Sequence, residues 1–266
     1  MIQFFRHIRK KLLSENKITK YLAYAFGEII LVVIGILIAL GINNHNKYNQ
    51  DRIVESEILA EIKNNLKLDL IDIESNVIYF NNRYISCNVI YDAVKNNHTY
   101  HDSLGYFFSN IHSHPHLSIK TNGYKQLLSK GIEIIENQAL RNAITNLYED
   151  DYPYQLLYEK EQLNIRDNIF TPVFYEYMGT ENLPIELFPK SLVKANRIES
   201  LINGGYFKNV RNFDQLKFDE KFLAQIKRIE TWSLILSQGQ ETSGEKVKKI
   251  ITQIEKELQS TNDSNF

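Results

Sequence analysis

The chain is predicted to be all-α: an N-terminal transmembrane helix continuing into an extracytoplasmic helical bundle with long helices. Three observations carry that expectation. Residues 21–42, YLAYAFGEIILVVIGILIALGI, are almost wholly apolar. Apolar residues then recur at spacings of three and four from Leu59 to Val94. Glycine and proline are scarce, 11 and 5 in 266 residues, which argues against the closely spaced turns of a sandwich or barrel.

The apolar run comes first in the chain and sets the expected location. Its 22 residues, at about 1.5 Å each, reach roughly 33 Å, the thickness of a hydrocarbon core. Tyr21 and Tyr24 stand where interfacial aromatics are favoured, and Asn43, Asn44, His45 and Asn46 end the run. Residues 1–20 carry six Lys and Arg against one Glu, whereas only Lys47 and Arg52 follow closely. By the positive-inside rule the N-terminus is expected in the cytoplasm and residues 43–266 in the periplasm, with the span in a bacterial inner membrane. Ala39-Leu40-Gly41 loosely resembles a cleavage site, but the 20-residue leader and the long apolar run fit an uncleaved anchor better. Within the leader, Phe4, Phe5, Ile8 and Leu12 share one side of a short helical stretch suited to an anionic leaflet. A plain topogenic tail accounts for them equally well.

Glu28 is the anomaly in the span. Residues seven apart on a helix differ by only about 20° in direction. Glu28, Val32, Gly35, Ala39 and Ile42 therefore form one stripe, and Gly35 with Ala39 makes a small-xxx-small pair that admits a close neighbour. A carboxylate in a bilayer is costly and faces protein, a polar cavity or an opposite charge. The stripe reads as a packing face for another transmembrane helix, with protonation or a partner Lys or Arg relieving the charge. The other reading lets Glu28 reach hydrated headgroups.

Beyond the span, Leu59, Ile62, Leu66, Leu70, Ile73, Val77, Phe80, Tyr84, Cys87, Tyr91 and Val94 form a heptad-like stripe. Ile58, Ile71, Ile78, Ile85 and Val89 widen it, as a bundle helix requires. Further helices are expected near residues 104–111, at 124–129 with Gly131 as a stop, and from 136–137 onward with Pro153 bending or dividing the helix. Leu156, Leu157, Leu163, Ile169, Phe174 and Tyr175 continue its apolar pattern. Residues 179–192 read as a connection and 192–202 as a short helix ending at Gly204-Gly205. Helices at 210–238 and 245–258 close the body. The expected parts are a basic leader (1–20), the span (21–42), a periplasmic helical-bundle domain (43–258) and a frayed tail (259–266).

Two segments also resemble a known family. The opening, IQFFRHIRKKLLSENKITKYLAYAFGEIILVVIGILIALGINN, is similar to that of a family of uncharacterised single-pass membrane proteins of Bacteroidota. It matches at Phe4, Phe5, Arg6, Ile8, Arg9, Leu12, Leu13, Glu15, Asn16 and Lys17, then at Gly27, Glu28, Ile29, residues 31–40, Ile42 and Asn43. His45 departs from the tryptophan common there. In NGYKQLLSKGIEIIENQALRNAITNLYEDDY, Tyr124, Leu127, Gly131, Asn137, Leu140, Arg141, Ile144 and Tyr148 follow the family's second pattern. The resemblance implies the location and architecture already read from the residues, and places Glu28 in the family's span pattern. It implies no activity.

The remaining motifs carry little chemistry. His112, His114 and His116 alternate in a loop, with His98, His101 and Asp102 nearby, and are the one candidate metal set. Solvated loop histidines are the simpler reading. Glu149-Asp150-Asp151 among Tyr148, Tyr152 and Tyr154 resembles a cation or carbohydrate site, but also a solvated turn before Pro153. Arg141 suits an ion pair within the bundle, or an anionic ligand. Cys87, the single cysteine, sits on the apolar stripe and reads as core. There is no GxSxG and no phosphate loop. Residues 43–266 carry 25 Lys and Arg against 30 Asp and Glu, which leaves no electrostatic footprint for nucleic acid. The expected function is a noncatalytic envelope scaffold, sensor or partner subunit, without a cofactor. Its expected partners are the lipid bilayer and a second copy or another membrane protein. The competing function is metal binding or catalysis at the histidine loop.

Overall fold

The computed structural model describes residues 18–112, 114–182 and 208–263. The leader over residues 1–17 and the short helix expected at 192–202 lie outside them. The described chain divides into two compact units, one ending at Ser56 and the other beginning at Glu57. The architecture is all-α with one small two-stranded antiparallel sheet.

Helix α1 covers Ile18–Lys95, 78 residues without Pro. Its part in the first unit carries the span. No residue from 25 to 54 is buried, and Leu31 is 69% exposed. A helix apolar on every side has no core to face in water, and this one is long and apolar enough to cross a membrane by length and composition.

The second unit combines the rest of α1 with α2 (Leu104–His112), α3 (Asn122–Lys130), α4 (Gln138–Asn146), α5 (Tyr152–Ile165), α6 (Thr171–Tyr177), α7 (Phe213–Leu216) and α8 (Glu220–Asp263). Local chemistry sets most of the ends. Gly131 stops α3 at φ +93°, a backbone angle that L side chains rarely adopt. The Asn137 side chain accepts from the Leu140 N–H and caps α4.

Two π turns join α4, α5 and α6 into one interrupted rod: Leu147–Asp151 before Pro153, and Arg166–Phe170 before Pro172. Each proline lacks an N–H and crowds the carbonyl four residues back. The wider turn, with Tyr152 N–H reaching Leu147 O and Thr171 N–H reaching Arg166 O, absorbs that defect without breaking the helix.

One apolar core cluster gathers residues of α1, α2, α6 and α8 around Cys87, Ile90, Phe108, Phe170, Phe174, Phe222 and Ile226. Burial pushes the Cys87 thiol up to about 12, so it is core and not a nucleophile at neutral pH. Gly123 brings α3 against α1 so closely that a Cβ there would stand 2.7 Å from Ile62 N.

Four expectations are corrected. The stripe of α1 that enters the core runs through Ile62, Leu66, Asp69, Ile73, Asn76, Phe80, Arg83, Cys87, Ile90 and Val94, all buried. Ile71, Ile78 and Ile85 do not widen it, being 66, 63 and 52% exposed. Helix α5 is turned inside out: Gln155, Glu159 and Gln162 are buried, whereas Leu156 and Leu157 are exposed. Residues 178–182 form a strand, β1 (Met178–Asn182), paired antiparallel with β2 (Lys208–Val210), where a connection and a helix start were expected. Gly179 permits that pairing, since a Cβ there would overlap the Asn209 side chain. Last, α8 runs unbroken through 239–244, because Gly239 and Gly244 inside a 44-residue helix weaken it without ending it.

Candidate functional site

The polar residues on the inner face of α1 and α5 hold a strap. Residues 114–121 have no regular structure and leave their backbone donors without helix or sheet partners. Side chains supply those partners. Glu159 Oε2 accepts from Leu117 N–H at 3.2 Å, Asp72 Oδ2 from Ser118 N–H at 2.7 Å, and Asp69 Oδ1 from Lys120 N–H at 2.9 Å. Just beyond the strap, Asn65 Oδ1 accepts from Gly123 N–H at 3.0 Å.

Tyr152 donates to the second oxygen of Asp69 at 3.1 Å, and Gln240 to the second oxygen of Glu159 at 3.0 Å. Burial pushes Asp69 up to about 6, against those hydrogen bonds, and raises Glu159 as well. These acids are engaged in holding backbone. Nothing in the hydrophobic pattern announces them. The available signal was three polar residues, Asp69, Asn76 and Arg83, at heptad positions of an apolar stripe.

The three alternating histidines take separate places. His112 stacks on Phe174, ring centroids 4.8 Å apart, with Nε2 3.2 Å from Thr171 Oγ1. His114 turns inward, its Nδ1 3.1 Å from Arg83 Nη1. The guanidinium can only donate, so Nδ1 accepts and Nε2 carries the proton. Burial and the two nearby arginines, Arg83 and Arg166, pull His114 down to about 3. His116 is exposed, its ring 5.7 Å from that of His114. Among the described residues no three His, Cys, Asp or Glu side chains are grouped to hold a metal ion.

Of the other candidates, Arg141 donates to Ile135 O at 2.9 Å and pairs with Glu133 at 2.9 Å, which pins the turn before α4. Glu149 accepts from Tyr124 OH at 2.8 Å and Asp151 pairs with Lys246 at 2.6 Å, both within the first π turn.

Two apolar faces of α1 remain open. In the first unit, Val32, Gly35 and Ala39 are exposed and Glu28 is half-buried. A Cβ added at Gly35 would meet nothing within 4 Å, so this stripe can receive a closely packed neighbour. In the second unit, Ile71, Ile78 and Ile85 repeat at intervals of seven with Leu68 beside them, all exposed. Flanking residues are engaged: Lys67 with Glu255 and Glu74 with Lys248. The open stripe thus presents the seven-residue spacing of a helix-pairing seam without a partner element among the described residues.

No curated protein and no solved structure matches the chain. A family model does match, over residues 28–210, more than half of the chain and from Glu28 through the strap, the histidines and both π turns. The chain belongs to a family of unknown function, DUF6090.

Proposed function

We propose that the protein is a membrane-anchored, noncatalytic envelope protein that works as a scaffold, sensor or partner subunit through helix–helix contacts. The N-terminus lies in the cytoplasm and residues 43–266 in the periplasm. The observation that carries this reading is the segment 25–54 of α1, in which no side chain is buried although residues 29–42 are nearly all apolar. Such a surface is stable against lipid and against another apolar helix, and unstable in water.

Glu28 and the Gly35–Ala39 pair supply the recognition element within the span, and Ile71, Ile78 and Ile85 supply a second seam in the body. The engagement of Asp69, Asp72 and Glu159 in holding the strap supports a structural rather than catalytic use of these acids. The test is fractionation of cells with protease added from the periplasmic side. The chain should stay with membranes through an alkaline wash, and the protease should remove everything beyond the span. Release by the wash, or protection of residues 43–266, would refute the placement.

A further inference from the structure

The open seam on the second-unit part of α1 specifies its own partner. Leu68, Ser75 and Asn82 alternate with Ile71, Ile78 and Ile85 at spacings of three and four. Ser75 is half-buried and the other five are exposed. These are the two core positions of a paired helix over three heptads. Beyond them the core positions turn polar, with Glu61 and Asn64 on one side and, past Val89, Asp92 on the other. The seam is therefore confined to residues 68–85, about 27 Å of helix.

The residues between the isoleucines select the occupant. In a parallel, in-register pair each core residue faces its own copy. Isoleucine then packs on isoleucine three times, and Asn82 meets Asn82, whose amides donate and accept across the axis. An antiparallel pair would set Asn82 against Ile71 and leave the amide facing hydrocarbon. The flanks agree. Parallel pairing brings a residue beside the seam opposite one five positions later in the other copy, and these flanking charges set partner choice and orientation. Lys67 thus meets Asp72 of the second copy, an opposite charge. Glu74 meets Tyr79 and Asn81 meets Ser86, so no like charges face each other. Lys67 keeps 52% of its side chain exposed while it pairs with Glu255, and Ser118 N–H holds Asp72 in place through Oδ2.

We infer that the partner of this seam is a second copy of the chain, paired parallel and in register through Ile71, Ile78 and Ile85. The inference rests on the membrane-anchored reading. Copies anchored with one orientation run in the same direction, and confinement to one membrane raises their effective concentration, which a seam this short requires.

The experiment oxidises full-length Ser75→Cys in its own membranes with copper–phenanthroline. Cys87 is buried and does not compete. The expected product is a disulfide-linked dimer of twice the chain mass, because facing core positions of a parallel pair come within disulfide reach. Leu68→Cys should give the same product, and Glu241→Cys, exposed on α8, should give none. Adding Ile78→Glu to Ser75→Cys sets two carboxylates face to face and should cut the dimer by roughly tenfold or more. A Ser75→Cys chain that stays monomeric, joins a protein of another mass, or dimerises no faster than Glu241→Cys overturns the inference. So does a dimer yield that Ile78→Glu leaves unchanged. An alkaline wash of the same membranes separates the two readings. A chain retained without dimer sinks self-pairing alone, and a released chain sinks the anchoring on which it rests.

Discussion

Arg83 Nη1 lies 3.1 Å from His114 Nδ1, so a permanently charged side chain fixes the tautomer of a histidine that must stay neutral. Arg83 is itself buried, and burial lowers it to about 10, which leaves it protonated at neutral pH. Its Nε donates to Ser233 Oγ at 2.8 Å, tying α1 to α8. The loop carrying His114 is thereby fastened to the two longest helices.

The pH consequence follows from the sign of the shift. His114 is held at about 3 in the folded chain, below its ordinary value of 6.5. The unfolded state therefore binds more protons between those values, and stability is lost as pH falls from about 6.5 towards 3. His114→Gln should remove that acid-side loss. Thermal midpoints of both proteins from pH 7 to pH 4 check it: the gap between them should narrow steadily on acidification.

Asp69 acts in the opposite direction. Its folded value of about 6 lies above the ordinary 3.8, so the folded state binds the extra proton. Its contribution is most favourable below about 3.8 and is lost as pH rises through about 6. Asp69→Asn keeps an acceptor for Lys120 N–H. It should show a smaller decline in stability from pH 4 to pH 6.5 than the wild type in the same melting series. An unchanged slope would mean that Asp69 ionises like a surface carboxylate.

Gly123→Ala should destabilise the body by about 1–3 kcal/mol, because the added methyl meets the Ile62 backbone, which cannot turn aside as a side chain can. Denaturant unfolding of the full-length protein measures it. Gly35→Ala, where nothing lies within 4 Å, should leave the same midpoint unmoved.

Ile78→Glu separates a core residue from a contact face. Ile78 is 63% exposed, so the substitution should change folding stability by no more than about 0.5 kcal/mol. The same change should abolish association through the Ile71–Ile78–Ile85 seam, read by chemical cross-linking in membranes.

The features legible in the sequence are those written in local chemistry. The Asn137 cap, the Gly131 stop, the helix over 104–112 and the division at Pro153 each depend on a residue's own backbone preferences. The inner face of α1 and the orientation of α5 depend on distant partners. Apolar periodicity assigns Leu156 and Leu157 to the core, but Glu159 and Gln155 are drawn inward by Leu117, Gln240 and Ser243, residues far along the chain. The strand pair was hidden for the same reason: Met178 of β1 has its partner, Val210, far onward in the chain. Where α5 packs on α8, Asp151 and Tyr154 stood out in the acidic, tyrosine-rich stretch. Tyr158, Trp232 and Gln155 join them only when α5 packs on α8.

The central claim is that the Glu28 face of the span binds another helix. Its most direct test is native mass spectrometry of the full-length protein, taken from its own membranes in mild detergent beside Glu28→Leu. The account predicts a defined self-oligomer or partner complex in the wild type that is missing from Glu28→Leu. The same lone monomer in both samples would contradict it.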